Sequence, residues 1–139
     1  MKKIDVYLAN LLVGNVKLHN LHWNVEGFTF KAVHEYLESL YDDFNEKFDE
    51  VAEYQKQVGV FPKAKVADYL ELATVEEIES QGVTSKAAVE TALELIKLQK
   101  ELALEIREEA GEKFDLANMM EDHIAGYTKQ IWFMESMLK

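Results

Sequence analysis

Six side chains that can bind a cation follow one another along one segment of the chain at steps of three or four residues. They are His34, Glu38, Asp42, Asn45, Asp49 and Glu53. In an α-helix this spacing places them on one face. Imidazole nitrogens and carboxylate or amide oxygens are ligands for hard and borderline metal ions. The stripe therefore predicts a metal site, although a solvated polar face would show the same spacing.

The distance along this helix decides how such a site could be built. His34 and Asp49 are fifteen residues apart, which is about 22 Å in an α-helix, so one metal ion cannot contact both in one chain. If the helix pairs antiparallel with a second copy across a twofold axis, His34 faces Glu53 of the partner subunit. Glu38 then faces Asp49 of the partner subunit, because both pairs are centred on the same point of the helix. The spacing predicts two identical sites, each shared between two subunits.

The preceding helix offers one more ligand. His22 lies near its predicted end, and a tight turn at Gly27 brings His22 and His34 to the same end of two antiparallel neighbours. Two imidazoles with two or three carboxylates suit iron(II) and leave positions open for an oxidant; zinc or manganese fits the same ligand types. His19 is a candidate for a residue that tunes a metal ligand through its contacts, and the Trp23 indole is a candidate for a radical sink beside the metal. A structural hydrogen bond for His19 and a place in the core for Trp23 are the ordinary alternatives.

Four amphipathic segments must position these side chains. Their apolar residues recur at helical spacing, with breaks near Gly27, over residues 60–84 and at Gly111. No segment shows the alternation of a strand. We therefore predict an all-α fold, an antiparallel four-helix bundle of one domain over residues 1–139, with helices of roughly 22 to 28 residues.

The long middle connection predicts a single crossover between helices two and three. Within it, residues Val66 to Leu72 could form a short helix, and Thr74 with Glu77 could cap a further turn. Helix three is expected to begin at a cap formed by Thr84 or Ser85, and helix four at Asp115.

Composition narrows the class of protein. The chain has 139 residues and a net charge of −11, from 26 acidic and 15 basic residues. This charge repels phosphate backbones and suits cations, so DNA binding is not expected. The absence of cysteine excludes disulfides and thiolate chemistry. No apolar run approaches the roughly 20 residues of a membrane span, and the beginning of the chain does not have the pattern of a signal peptide, so we expect a cytoplasmic protein without membrane contact.

A longer motif carries a family resemblance. The stretch Leu18–Gly27, LHNLHWNVEG, together with Phe30, His34, Asp49 and Glu53, resembles the signature of the Dps family of miniferritins. The spacings from His22 to His34, from His34 to Asp49 and from Asp49 to Glu53 all match that signature. The likeness continues through Pro62, Tyr69, Leu70, Lys129 and Trp132 and so covers most of the chain.

The resemblance implies a ferritin-like fold and a homododecameric shell with ferroxidase centres at its twofold interfaces. It implies that His22 and His34 come from one subunit, and Asp49 and Glu53 from its partner. Glu38 stands where the family often has an acidic ligand. Iron(II) would be oxidised, usually with hydrogen peroxide, and stored as iron(III) mineral, which protects against oxidative damage.

The chain departs from the family pattern in three places. Tyr54 stands where an arginine is common. Asn118 replaces an aspartate that often lines the threefold pore for iron uptake, which leaves Asp115 and Asp122 as pore candidates. The sequence begins Met1-Lys2-Lys3 and is expected to enter its first helix almost at once, whereas members that bind DNA often carry a long basic tail.

Two other functions remain open from the sequence: a DNA-coating nucleoid protein, and a structural oligomer of the same fold with unused metal sites. Charge disfavours the first, and the second is disfavoured because every expected ligand is present. No E-x-x-H motif occurs, which disfavours a di-iron site inside one bundle. His123 lies beside the apolar stripe of helix four and is expected to be a core histidine with its hydrogen bonds satisfied.

Overall fold

The four amphipathic segments form four long helices in the computed structural model, which describes residues 2–139; Met1, included in the predicted domain, lies outside these. The long helices are α1 (Lys2–Asn24), α2 (Phe30–Gln57), α4 (Ser85–Ala110) and α5 (Phe114–Met137). The predicted short helix is α3 (Val66–Leu72), inside the long connection. The all-α prediction is confirmed.

Side-chain contacts at the helix ends fix the directions of the helices. Gln55 near the end of α2 donates to Asp5 near the start of α1, at 3.1 Å, so these helices are antiparallel. Lys3 pairs with Glu105 of α4 at 3.2 Å, so α1 and α4 are antiparallel too. It follows that α2 and α4 run in the same direction, and residues 58–84 must cross the length of the bundle. This is the ferritin-like connection that the sequence predicted.

An asparagine of α1 fastens the crossover to the bundle. The Asn10 side chain is fully buried; its oxygen accepts from the backbone of Thr74 (2.8 Å) and Val75 (3.2 Å), and its nitrogen donates to the Thr74 hydroxyl (2.9 Å). The predicted cap at Thr74 and Glu77 is wrong, because Thr74 is engaged by Asn10 and no helix follows it.

A small parallel sheet was not predicted. Strands β1 (Val25–Glu26) and β2 (Val83–Thr84) pair in parallel, and join the end of α1 to the start of α4. Two-residue strands are too short to leave an alternating pattern in the sequence. The Thr84 hydroxyl also accepts from the Ala87 amide at 3.1 Å, which confirms the cap predicted for this helix.

Helix α5 begins one residue before the aspartate expected to cap it. The N-cap position is Lys113, so the prediction that Asp115 is the cap is wrong. The Asp115 carboxylate lies in the first turn and accepts from the Leu116 amide at 2.9 Å, where a negative charge complements the helix dipole. Over residues 2–139, no helix is both long and apolar enough to cross a membrane.

Close packing of α1 on α2 sets the position of the candidate site. Gly14 lies against the ring of Phe44, and a Cβ atom at Gly14 would come within 2.7 Å of the Phe44 ring and 3.2 Å of Leu95. Only a residue without a side chain fits at this approach. Helices α1 and α2 therefore pack closely from Gly14 to the turn that joins them.

Candidate metal centre

Two histidines at the α1–α2 turn hold each other in place. The ring of His22 stacks on the ring of His34, with centroids 3.6 Å apart and planes 13° apart. The Nδ1 of His22 lies 2.7 Å from the backbone oxygen of His34, and the Nδ1 of His34 lies 2.7 Å from the backbone oxygen of His22. A carbonyl oxygen can only accept, so both Nδ1 atoms carry the hydrogen.

These reciprocal bonds prepare both rings as metal ligands. With the hydrogen on Nδ1, a neutral imidazole has its lone pair on Nε2, and a hydrogen bond at the other nitrogen is the usual way in which a ligating histidine is oriented. Glu38 follows His34 by one helical turn. Ligand atoms of His22, His34 and Glu38 lie within 4.8 Å of one another, which makes them the group in residues 2–139 that could hold a metal ion.

The turn between the helices supports this geometry. Gly27 has a φ of +120°, which side-chain-bearing residues rarely adopt. Its carbonyl accepts from the Phe30 amide at 3.1 Å. The Phe30 ring then packs on the outer face of His34, at a centroid distance of 4.8 Å. His34 is thus held between two rings.

The other two predicted ligands lie elsewhere along α2. Asp49 and Glu53 are exposed and one turn apart, and they are outside the group formed by His22, His34 and Glu38. The Asp49 carboxylate, through a hydrogen bond and its charge, raises the pKa of Glu53 above the ordinary value. A cation between two neighbouring carboxyl groups favours the ionised form of both. The group of His22, His34 and Glu38 and the pair of Asp49 and Glu53 are therefore two separate groups of potential ligands in one chain.

An aromatic cluster lies behind the histidines. The Nδ1 of His19 lies 2.9 Å from the backbone oxygen of Asn15, so His19 has the structural hydrogen bond that was one of its two expected roles. Its ring stacks on Tyr41 at 3.7 Å and contacts Trp23 at 5.3 Å. Trp23 is 67% exposed, which rules out a place in the core of this chain.

Tyr41 was missed from the sequence. Its ring lies 5.1 Å from that of His22, edge to face, and burial, followed by the charges of Glu38 and Asp42, raises its pKa. Its position seven residues after His34, two turns along the same helix, is the signal that could have found it.

The pore candidates are separate from this centre. Asp115 and Asp122 are both exposed on α5, seven residues and so two turns apart. They share one side of the helix. Their role in iron uptake stays a prediction.

Comparison with known proteins places the chain in a family. The ferritin-like domain family matches residues 1–139. The DNA protection during starvation protein of Listeria innocua is 33% identical over 136 residues, which is 94% of this chain and 86% of the relative.

Solved structures agree with these sequence matches. The crystal structure of antigen TpF1 from Treponema pallidum superposes with a TM-score of 0.96 at 29% identity, covering 99% of this chain and 90% of that one. A Dps protein from Bacillus brevis gives 0.92 at 32% identity, covering 99% and 93%. Fold, motif and relatives agree, and the chain belongs to the Dps family of ferritin-like proteins.

Proposed function

We propose that this protein oxidises iron(II) at ferroxidase centres shared between two subunits and stores the product as iron(III) mineral inside a closed shell of twelve subunits. The observation that carries the proposal is the paired histidine arrangement, in which His22 and His34 each fix the other's tautomer and leave Nε2 free beside Glu38. A polar surface with no metal to bind has no need of such alignment.

The second half of the centre comes from a partner subunit. Asp49 and Glu53 are too far along α2 to join His34 in one chain, but a twofold axis beside the middle of α2 brings them across. His34 then faces Glu53 of the partner subunit, and Glu38 faces Asp49 of the partner subunit. Asp49 and Glu53 are one turn apart on the exposed side of α2, so both carboxylates can reach one metal ion that the partner subunit presents.

The ligand types select the chemistry. Two imidazoles with carboxylates leave coordination positions for an oxidant on iron(II), and zinc would bind the same donors without undergoing redox chemistry. With hydrogen peroxide, two iron(II) ions, one peroxide and two protons give two iron(III) ions and two water molecules. The carboxylates contribute by stabilising the higher positive charge of the product.

Exposed aromatic residues support the assembly. Five large aromatic side chains in the described chain are more than 60% exposed: Trp23, Phe28, Phe61, Phe114 and Trp132. Aromatic side chains are enriched in the buried centres of protein interfaces. Trp23 lies beside the histidines, where the twofold contact would cover it. The net charge of −11 does not favour DNA as a partner.

Mixed shells test the shared site. His34→Ala and Asp49→Ala each remove a polar residue outside the core, so both variants should fold and assemble but oxidise iron(II) slowly. In shells assembled at random from both, half of the dimers are mixed, and each mixed dimer has one intact site of two. Iron oxidation, followed optically after anaerobic iron(II) loading and peroxide addition, should recover to about a quarter of the wild-type rate.

The alternative outcome is equally clear. If the site lies within one subunit, every subunit in the mixed shell lacks a ligand and activity stays at the level of the single variants. A stable monomer of 16.0 kDa in light scattering would contradict both the shell and the shared site.

A further inference from the structure

A line of hydrogen bonds runs through the core of the bundle, away from the paired histidines. The hydroxyl of Tyr7 lies 2.6 Å from the hydroxyl of Tyr127 and 2.8 Å from Nδ1 of His123. The other ring nitrogen of His123, Nε2, lies 2.5 Å from a carboxylate oxygen of Glu50. Tyr7 and Tyr127 are fully buried and His123 nearly so, whereas the Glu50 side chain is 57% exposed.

The carboxylate at the surface sets the direction of every bond in this line. An ionised Glu50 can only accept, so Nε2 of His123 carries the hydrogen and Nδ1 has the lone pair. Tyr7 must then donate to Nδ1, and Tyr127 donates to Tyr7. The Tyr7 phenol therefore contacts a base, the His123 imidazole, and the Glu50 carboxylate orients that base.

Burial fixes the charge states. It raises the pKa of Tyr7 well above the ordinary value and also raises the pKa of Tyr127, so neither phenol ionises at neutral pH. Burial likewise lowers the pKa of His123, although the hydrogen bond to Glu50 acts in the opposite direction. Tyr7, Tyr127 and His123 are therefore neutral at rest, and Nδ1 of His123, which accepts the hydrogen bond from Tyr7, can take up one proton.

Two simpler roles, a hydrolytic triad and a purely structural hydrogen bond, do not explain this arrangement as well. A hydrolytic triad needs access for substrate, and Tyr7 has none. A purely structural bond needs no base, as a second tyrosine shows: the Tyr36 hydroxyl donates to the amide oxygen of Gln130 at 2.6 Å. A phenol that donates to a neutral imidazole differs from such a structural bond in its redox chemistry. It can lose an electron and its proton together, so neither a phenolate nor a phenol cation is left in the core.

The line lies behind the part of α2 that carries Asp49, the ligand proposed to complete the metal centre of the partner subunit. Glu50 follows Asp49 directly on α2, and the bond from Gln55 to Asp5 places the start of α1 beside this part of α2. The ligand face of α2 and Tyr7 are thus separated by about one helix diameter, roughly 10–12 Å. An electron can cross such a distance without any group moving.

We propose that Tyr7 is a redox-active tyrosine that reduces one-electron oxidants formed at the metal centre; this rests on the proposed ferroxidase function. The oxidant class is the hydroxyl radical, formed when one iron(II) reduces peroxide by a single electron. Tyr7 gives one electron and becomes a neutral radical, its proton moves to Nδ1 of His123, and the hydroxyl radical becomes hydroxide. A second iron(II) then reduces the tyrosyl radical as the proton returns, so one iron(II), one hydroxyl radical and one proton give iron(III) and water.

The test uses the intact shell and two ways of making the oxidant. Freeze-quenched electron paramagnetic resonance is recorded after iron(II) and peroxide, and separately after flash oxidation of the metal-free shell with a photo-excited ruthenium complex and a sacrificial acceptor. Ring-deuterated tyrosine identifies tyrosyl signals by their narrowed lines and separates them from tryptophan radicals. Wild type should give a tyrosyl signal by both routes.

Three variants locate the radical. Tyr7→Phe should remove that signal by both routes while the initial rate of iron oxidation stays unchanged, and Tyr36→Phe, a control at a hydrogen-bonded and partly buried tyrosine without a base, should keep it. Glu50→Gln tests the base: a glutamine amide can donate to Nε2 and move the histidine hydrogen to Nδ1, which should lower the signal several-fold. Because Glu50 is half exposed, this variant stays folded even if Tyr7→Phe is unstable.

The two routes separate this inference from the ferroxidase proposal. A Tyr7 signal by flash oxidation without any iron oxidation by the shell would overturn the proposed function alone. Normal iron oxidation with a tyrosyl signal that persists in Tyr7→Phe, or with none in wild type by either route, would overturn the redox role of Tyr7. An unchanged signal in Glu50→Gln would overturn the role of the oriented base.

Discussion

The histidines at the α1–α2 turn and the histidine in the core use the same ring in opposite ways. His22 and His34 each bind a backbone carbonyl through Nδ1, and each keeps Nε2 free. His123 has both nitrogens occupied, by Tyr7 on one side and Glu50 on the other. A histidine with one anchored and one free nitrogen can bind a metal ion, whereas a histidine with two partners can only relay or orient.

The position in the bundle explains the difference. At the turn, the last carbonyls of α1 have no partner within the helix, so the partly exposed His34 can bind the carbonyl of His22, although the ring of His22 itself is buried. In the middle of the bundle, a buried polar nitrogen without a partner would cost about 1–3 kcal/mol. His123 therefore needs both of its partners for stability.

The same substitution at both places gives the largest expected contrast. His22→Phe keeps a ring of similar size against His34 but removes the nitrogen that would bind metal. We expect the initial rate of iron oxidation to fall at least about 100-fold, the upper range for changes around a metal site. The free energy of unfolding should fall by about 0.5–1.5 kcal/mol, because the hydrogen bond from His22 to the His34 carbonyl is lost. Stopped-flow absorbance and chemical denaturation measure the two quantities.

His123→Phe should lower the free energy of unfolding more than it lowers the rate of iron oxidation. It leaves the Tyr7 hydroxyl with Tyr127 as its remaining partner, so the free energy of unfolding should fall by about 1–3 kcal/mol. The initial rate of iron oxidation should stay within a few-fold of wild type, because His123 does not belong to the metal centre. If iron oxidation instead fell as far as in His22→Phe, the two regions would not be functionally distinct.

The smallest expected effect is a dependence on pH. The folded protein lowers the pKa of His123 below its ordinary value of 6.5, mainly through burial, so the unfolded chain takes up this proton more readily. From about pH 7.5 to about pH 5.5, the unfolded state therefore binds more protons and the free energy of unfolding falls. Denaturation curves of His22→Phe should keep this decrease, and those of His123→Phe should lose part of it. Equal slopes in both variants would contradict the assignment.

Much of the fold could be predicted because periodicity and chain breaks are local. The four helices, the crossover, the helix at Val66–Leu72 and the cap at Thr84 all follow from such patterns, and the family from one motif and its spacings. Three features could not be read in this way. The strands β1 and β2 are too short to show an alternating pattern, and Thr74 is bound by an asparagine that is distant in the sequence. The spacing of apolar residues in α1 does not show whether Trp23 faces the core or the solvent.

By itself the sequence determined which side chains are candidate metal ligands, because residue type and helical spacing limit the candidates and exclude a common site for His34 and Asp49 within one chain. Only the tertiary structure decided which nitrogen each histidine offers. The tautomers of His22 and His34 depend on carbonyl groups twelve residues away, and that of His123 on Glu50, 73 residues away. A hydrogen bond fixes a proton only when packing has brought its two ends together, and no local pattern of residues contains that information.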